Sequence, residues 1–286
     1  MSMEVTFSVA KSLQLAILCS VWIGLFVLTA VALPAQQPPA PELSRRPDTK
    51  AKEPPAPPPL PRRVDAKAQQ LLDRTIQALG GQAFLNAKTL TTKGRVFSIQ
   101  DEATSALAPF QSYAVFPDKR RFSYGKTMPV VLINNGEKGW ELDRYGLIDQ
   151  PAEQLRRWIV SNRYSIENLL RLRIHEPGIL VQTAGADFVD NAPTQGIEIT
   201  ESGGTVVRLD LNRQTFLPTR VSYQVRNPKT NDADDCTDVY SDYKPFDGVM
   251  TPMHISRYLN GDRAGEIFRN FAHYGDEYPS NYFTPE

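Results

Sequence analysis

Catalytic chemistry could come from few places in this chain. Its three histidines, His175, His254 and His273, are far apart and show no ligand spacing, whereas zinc sites usually pair close ligands. Ser123-Tyr124-Gly125-Lys126 matches S-x-x-K, in which serine and lysine share one helical turn. Here the tetrad ends a predicted strand, and the companion motifs fail. Tyr243 rather than asparagine follows Ser241-Asp242, and Met128 rather than glycine follows Lys126-Thr127. Asp232, Asp234, Asp235, Asp238 and Asp242 form the densest acidic cluster. It lacks the glycine and closing glutamate of a calcium loop and reads as a solvated turn and strand edge. There is no phosphate-binding glycine loop and no G-x-S-x-G. The expectation is therefore a protein without catalytic residues, metal or cofactor, and not an enzyme.

The residues that remain are apolar, and the elements that carry them are mostly strands. Val64, Ala68, Leu71, Leu72, Thr75, Ile76 and Leu79 recur at helical spacing, and Gly80-Gly81 supplies a stop. A short turn, residues 82–87, continues it. Thr89–Gln100, then residues 110–116, 120–125, 129–134 and 139–143, read as short strands between turn residues. Asn135-Gly136 marks a hairpin, since both residues tolerate positive φ. A helical insert follows, with Pro151 at its start. Leu155, Trp158, Ile159, Asn162, Ile166, Leu169 and Leu170 form its stripe, and Ser165 caps a second helix. Strands resume at 195–200, 205–211, 219–226, 238–243, 251–259 and 263–274. Setting Ile197 and Ile199 opposite Val207 and Leu209 asks for a three-residue loop, Ser202-Gly203-Gly204. Helices do not alternate with strands, so a parallel α/β sheet is excluded. The fold class expected is α+β, with about ten or eleven antiparallel strands and helices in two places.

Composition bounds the partners. Beyond residue 61 there are 27 basic and 28 acidic residues, so the folded part has no basic excess for a nucleic-acid backbone. Cys236 is the sole cysteine there, so no disulfide forms within the domain. Residues 13–33 are an uncharged apolar run, long for a cleaved signal and adequate to span a bilayer. Cleavage after Ala32 or Ala35 and retention as an anchor both fit. Few bases precede the run and several follow it, which by itself would hold the domain in the cytoplasm. The nearest, Arg45, lies 12 residues downstream among acidic residues, so export remains the expectation. Cys19 follows a leucine where a lipid-modified cysteine wants a small residue, and reads as a buried thiol. Residues 34–61 contain 11 prolines and read as a polyproline II spacer reaching roughly 80–90 Å. The organisation expected is a signal peptide or anchor over 1–33, a linker over 34–63, and one β-rich domain over 64–286.

One stretch carries a resemblance. FPDKRRFSYGK at 116–126, followed by PVVLINNGEKGWELD at 129–143, resembles the LolA/LolB-like family of bacterial lipoprotein carriers. The matching positions are Pro117, Arg121, Phe122, Tyr124, Leu132, Asn135, Gly136 and Trp140. FLPTRVSYQV and YSDYKPFDGVMTPMHISRYLNG look like later strands of lipoprotein-sorting relatives. The resemblance implies an incomplete antiparallel β-barrel whose concave face is lidded by helices and holds acyl chains of lipoproteins or other lipids. It implies no cofactor. The expected lipid-contacting set is Phe122, Tyr124, Val131, Ile133, Trp140 and Leu142 from the strands, with Leu155, Trp158, Ile159, Leu169 and Leu170 as the lid. Location in the periplasm follows from the same reading, and the long apolar run with its proline-rich linker adds attachment to the inner membrane as an expectation. Relatives of this fold also serve as envelope sensors that bind a protein partner, and at least one is an enzyme, so a sensor or interaction module is the alternative.

Overall fold

The computed structural model describes residues 60–227 and 232–285. The predicted N-terminal apolar segment, Cys19 and the linker up to residue 59 lie outside the described residues. The folded unit takes in the last linker positions: the Arg62 Nε donates to Ile174 O at 2.6 Å, and Arg63–Val64 form a short strand, β1.

Two helices follow. In α1 (Ala66–Leu79) the buried residues Ala68, Leu72, Thr75 and Leu79 form one stripe. Asp65 caps it, one carboxylate oxygen accepting from Ala68 N at 2.8 Å. The other accepts from Thr183 N at 2.6 Å, tying the helix start to a strand. Gly80 ends α1 at φ +123°, and a Cβ there would lie 2.2 Å from Gly248 O. Only glycine permits both the conformation and the approach. The short α2 (Gln82–Asn86) buries Phe84.

Strands β2 (Thr89–Gln100), β3 (Ala103–Val115), β4 (Lys119–Tyr124), β5 (Val130–Asn135), β6 (Lys138–Asp143) and β7 (Gly146–Asp149) form one meander. Then come α3 (Ala152–Arg163), α4 (Ile166–Arg171) and a 3-10 turn, Arg173–His175. A second meander comprises β8 (Leu180–Val189), β9 (Ala192–Thr200), β10 (Val206–Asn212), β11 (Pro218–Arg226), β12 (Ala233–Phe246), β13 (Val249–Leu259) and β14 (Asp262–His273). Pairing of β14 with β2 joins them into one sheet, ordered β1-β8-β9-β10-β11-β12-β13-β14-β2-β3-β4-β5-β6-β7. Apart from the two-residue parallel pairing of β1 with β8, all pairs are antiparallel. The sheet is open, with β1 and β7 at its edges.

This topology explains where the helices lie. Strands β7 and β8 are consecutive in the chain but close to opposite edges of the sheet. The segment between them, which holds α3 and α4, must therefore cross a face. The main core fills the space under α1, α2 and α4. Leu72, Leu79, Phe84, Leu169, Leu170 and Ile174 pack there with Ile197, Ile199, Val207, Leu209 and Val221 of β9–β11. A smaller cluster of Val96, Ala106, Ala108, Phe110, Phe122, Tyr124, Val130 and Leu132 lines the same face of β2–β5.

The strand count departs from expectation, with fourteen among the described residues. The additions are β1, β7 and β8. Strand β8 hides its period behind a register shift between Thr183 and Ala186, and β7 is a short, exposed edge. The acidic cluster is corrected in part: Asp238 and Asp242 lie in a strand as expected, but β12 begins at Ala233 and so also takes in Asp234 and Asp235. Other readings hold closely. Ile199 faces Val207 and Ile197 faces Leu209, Ser165 caps α4 by accepting from Asn168 N, and Asn260 and Gly261 both take positive φ between β13 and β14.

Candidate functional site

Helix α3 spans the gap between the two cores. Its start is fixed by Gln150, whose Oε1 accepts from Asn134 Nδ2 at 2.9 Å and whose Nε2 donates to Trp140 O at 3.1 Å. Gly139 leaves room for that side chain, since a Cβ there would sit 2.4 Å from Gln150 Oε1. Its end is held by Arg163, which pairs with Glu201 at 2.8 Å and Glu176 at 2.7 Å. Tyr164 donates to the same Glu201 and its ring meets that of Tyr223 at 4.6 Å. Asn162 and Asn168 each donate to Pro117 O at 2.8 Å, pinning both helices to the β3–β4 turn.

Anchored at its ends, α3 arches over a cavity of about 210 Å³. Val96, Phe122, Leu132 and Ile267 of the sheet and Trp158 and Val160 of the helix supply apolar wall. Arg120, Tyr223, Cys236, Asp238 and Arg257 supply polar wall.

Strand register decides which side chains can reach this space, because directly opposed residues share a face. Phe122 opposes Leu132, Ile267 opposes Val96, and Arg257 opposes Asp238 and Gly265. Arg120, Phe122 and Tyr124 alternate along β4 and so share the helix-covered face. Val131 opposes Ser123 and Leu142, while Ile133 opposes Arg121 and Trp140. These pairs occupy the other face.

Four expected contacts are corrected by this register. Val131, Ile133, Trp140 and Leu142 point away from the helices. Ile133 is nonetheless buried, beside the place where the C-terminal segment crosses the back face. There Arg121 donates to Tyr282 O at 3.2 Å, and Tyr113 packs against Tyr278 and Tyr282. Leu142 is 37% exposed, whereas its neighbour Glu141 is buried. The lid also differs in detail. The cavity is lined from α3 by Gln154, Arg157, Trp158 and Ser161, a stripe turned by one residue from the expected one, with Arg156 and Val160 at its margins. Leu155 and Ile159 are half-buried on the side of Asn162 and do not line the cavity. Leu169 and Leu170 are wholly buried in the main core. Of the expected set, Phe122 and Trp158 line the cavity, and Tyr124 packs behind Phe122 at 5.9 Å between rings.

Sequence reasoning missed the charged wall. Arg120 shares strand parity with Phe122 and Tyr124, which was the available signal. Its guanidinium lies 5.5 Å from the Phe122 ring and 5.8 Å from that of Trp158. Burial, and then the nearby Arg257, push it down to about 9, which still leaves it charged at neutral pH. Arg257 Nε stands 3.5 Å from Asp238, close enough to attract but not aligned to hydrogen-bond. The Asp238 charge raises Arg257, while burial raises Asp238 against the pull of Arg257. Burial lifts the Tyr223 and Tyr240 hydroxyls well above their ordinary range. It also pushes Cys236 up to about 11, so this cysteine is a thiol rather than a nucleophilic thiolate. No group of three metal-ligating side chains occurs among the described residues, nor any helix long and apolar enough to cross a membrane.

No family model matches the sequence, and no curated protein matches it. Similarity lies in solved structures. A DUF1329 family protein from Desulfovibrio piger superposes with a TM-score of 0.52 at 12% identity, covering 76% of this chain and 96% of that one. A putative outer membrane lipoprotein-sorting protein domain from Vibrio parahaemolyticus gives 0.49 at 11% identity, covering 76% and 97%. A LolA superfamily protein from Nitrosomonas europaea gives 0.45 at 14% identity, again covering 76% and 97%. The structural neighbours thus include the group that residues 116–143 resemble. What the likeness shows is a fold, shared with the Desulfovibrio piger protein over three quarters of this chain.

Proposed function

We propose that this domain binds acyl chains of lipoproteins or other lipids in the bacterial cell envelope, without acting on them chemically. The observation that carries the reading is the cavity under α3, with aromatic and aliphatic wall on both the sheet and the helix. The resemblance at 116–143 supports it and favours a periplasmic location, and the apolar run at 13–33 with its proline-rich linker favours attachment to the inner membrane.

The size of the cavity refines the idea. About 210 Å³ is below the roughly 300–1,000 Å³ of ordinary small-molecule pockets. It admits part of a chain while α3 is seated, and a whole long chain enters only if α3 lifts. Burial contributes about 0.8 kcal/mol per methylene, so a long chain buried in full offers on the order of 10 kcal/mol before ordering costs.

The test is extraction of lipid from full-length protein purified from cells, read by mass spectrometry, with fractionation to locate the protein. The expected result is co-purified acyl lipid and an envelope location. Protein that carries no lipid and takes up none when offered would overturn the reading and favour a protein-interaction module.

A further inference from the structure

We propose that the cavity under α3 selects amphiphiles with an acidic head group, and that Arg120 is the residue that receives the anion. This deepens the acyl-chain reading and rests on it.

The wall holds one unmatched charge. Every other charged side chain in the wall has a counter-charge or a hydrogen-bond partner. Arg156 and Arg157 share Glu153 at 3.0 and 2.9 Å. Glu266 meets Arg263 at 3.1 Å and His254 at 3.6 Å. Asp234 accepts from Asn227 and Asn260, both at 3.3 Å, and Asp238 faces Arg257. Arg120 has neither an ion pair nor a hydrogen bond among the described residues, and its Nε is buried without a partner. Its company is the faces of Phe122 and Trp158 and the positive field of Arg257. A half-buried guanidinium whose Nε has no partner is unfavourable unless something supplies an anion. Arg120, Arg257 and Asp238 together leave the interior one positive charge in excess.

The missing anion is most naturally the head of the ligand. A guanidinium offers parallel N–H donors that fit a carboxylate or a phosphate bidentately. The adjoining wall of Val96, Phe122, Leu132, Trp158, Val160 and Ile267 is apolar and takes the chain. Neutral esters and amides would leave Arg120 unmatched, and cationic amphiphiles would add to the excess.

The test uses the full-length chain and three probes of equal chain length: dodecanoate, dodecyl phosphate and methyl dodecanoate, below their micellar concentrations. The two anions should bind at least tenfold more tightly than the ester. Arg120→Met should bring the ratio of anion to ester affinity close to one, while Arg120→Lys should retain most of it. Inorganic phosphate should not displace dodecanoate. Equal affinity of all three probes for the parent protein, or a preference that survives in Arg120→Met, overturns the head-group assignment while leaving acyl-chain binding intact. Displacement by inorganic phosphate at matched concentration overturns it in favour of a free-anion site. Binding of none of the probes overturns the acyl-chain reading itself. Should Arg120→Met not fold, the ratio of anion to ester affinity in the parent protein still decides.

Discussion

Two stretches of the same face behave differently. Under α1 and α4, Ile197, Ile199, Val207, Leu209, Leu211 and Val221 are completely buried in a continuous aliphatic core. Under α3, the wall built on β2–β5 mixes alanines and aromatic rings with Val96, Val130 and Leu132, and a cavity remains with arginine in it. Sheet chemistry does not separate the two, since both stretches alternate and both turn an apolar face to the helices. The difference lies in the cover. Helices α1 and α4 bury leucines directly into the sheet, whereas α3 is held at its two ends and turns Gln154, Arg157, Trp158 and Ser161 toward it. A closely packed cover makes a core, and a cover suspended at its ends leaves room for a ligand.

The largest effect should appear where packing is complete. Leu209→Ala removes a fully buried side chain from the main core, in a setting where such truncations cost about 2–5 kcal/mol. We expect about 4 kcal/mol by denaturant titration. A loss below about 1 kcal/mol would mean that this core is as loosely filled as the space under α3.

Trp158→Ala should cost less, about 2–3 kcal/mol, because one side of the ring already faces empty volume and lacks contacts to lose. It should also weaken binding of dodecanoate at least tenfold. Should it destabilise as much as Leu209→Ala without changing binding, α3 is a core helix and the comparison collapses.

The smallest effect concerns the cap that ties α1 to β8. Hydrogen bonds from Ala68 and Thr183 hold the Asp65 carboxyl down to about 2, against an ordinary 3.8. A lowered folded-state pKa makes the charged form stabilising. Its contribution is therefore complete above pH 3.8 and is lost as pH falls through about 2. Melting temperatures measured across that window should fall less steeply for Asp65→Asn than for the parent protein. Parallel curves would show that the cap does not couple α1 to the sheet.

Much of the fold was legible in local sequence. The 3.6-residue stripe of α1, its glycine stop, the alternation in β9, β10 and β11, and the Asn260-Gly261 turn all follow from neighbours in the chain. The site was legible in part. Phe122 and Trp158 were found because large aromatics on periodic elements face inward. Trp140 was placed on the wrong face, since alternation gives two faces and does not say which one the helices cover. The exposed Leu142 beside the buried Glu141 shows how far hydrophobicity can mislead at the end of a sheet.

By itself, the sequence determined the element types, the hairpin order within each meander and the apolar face of most strands, because these depend on periods of two and 3.6 residues and on turn residues a few positions apart. Only the tertiary structure decided that β14 pairs with β2, that α3 must cross from one edge region to the other, and that Arg120 of β4 meets Trp158 of α3 and the field of Arg257 in one cavity. Those partners lie 38 and 137 positions from Arg120. No local period carries such a contact, which exists only once the two meanders join into one sheet and the helix is stretched between them.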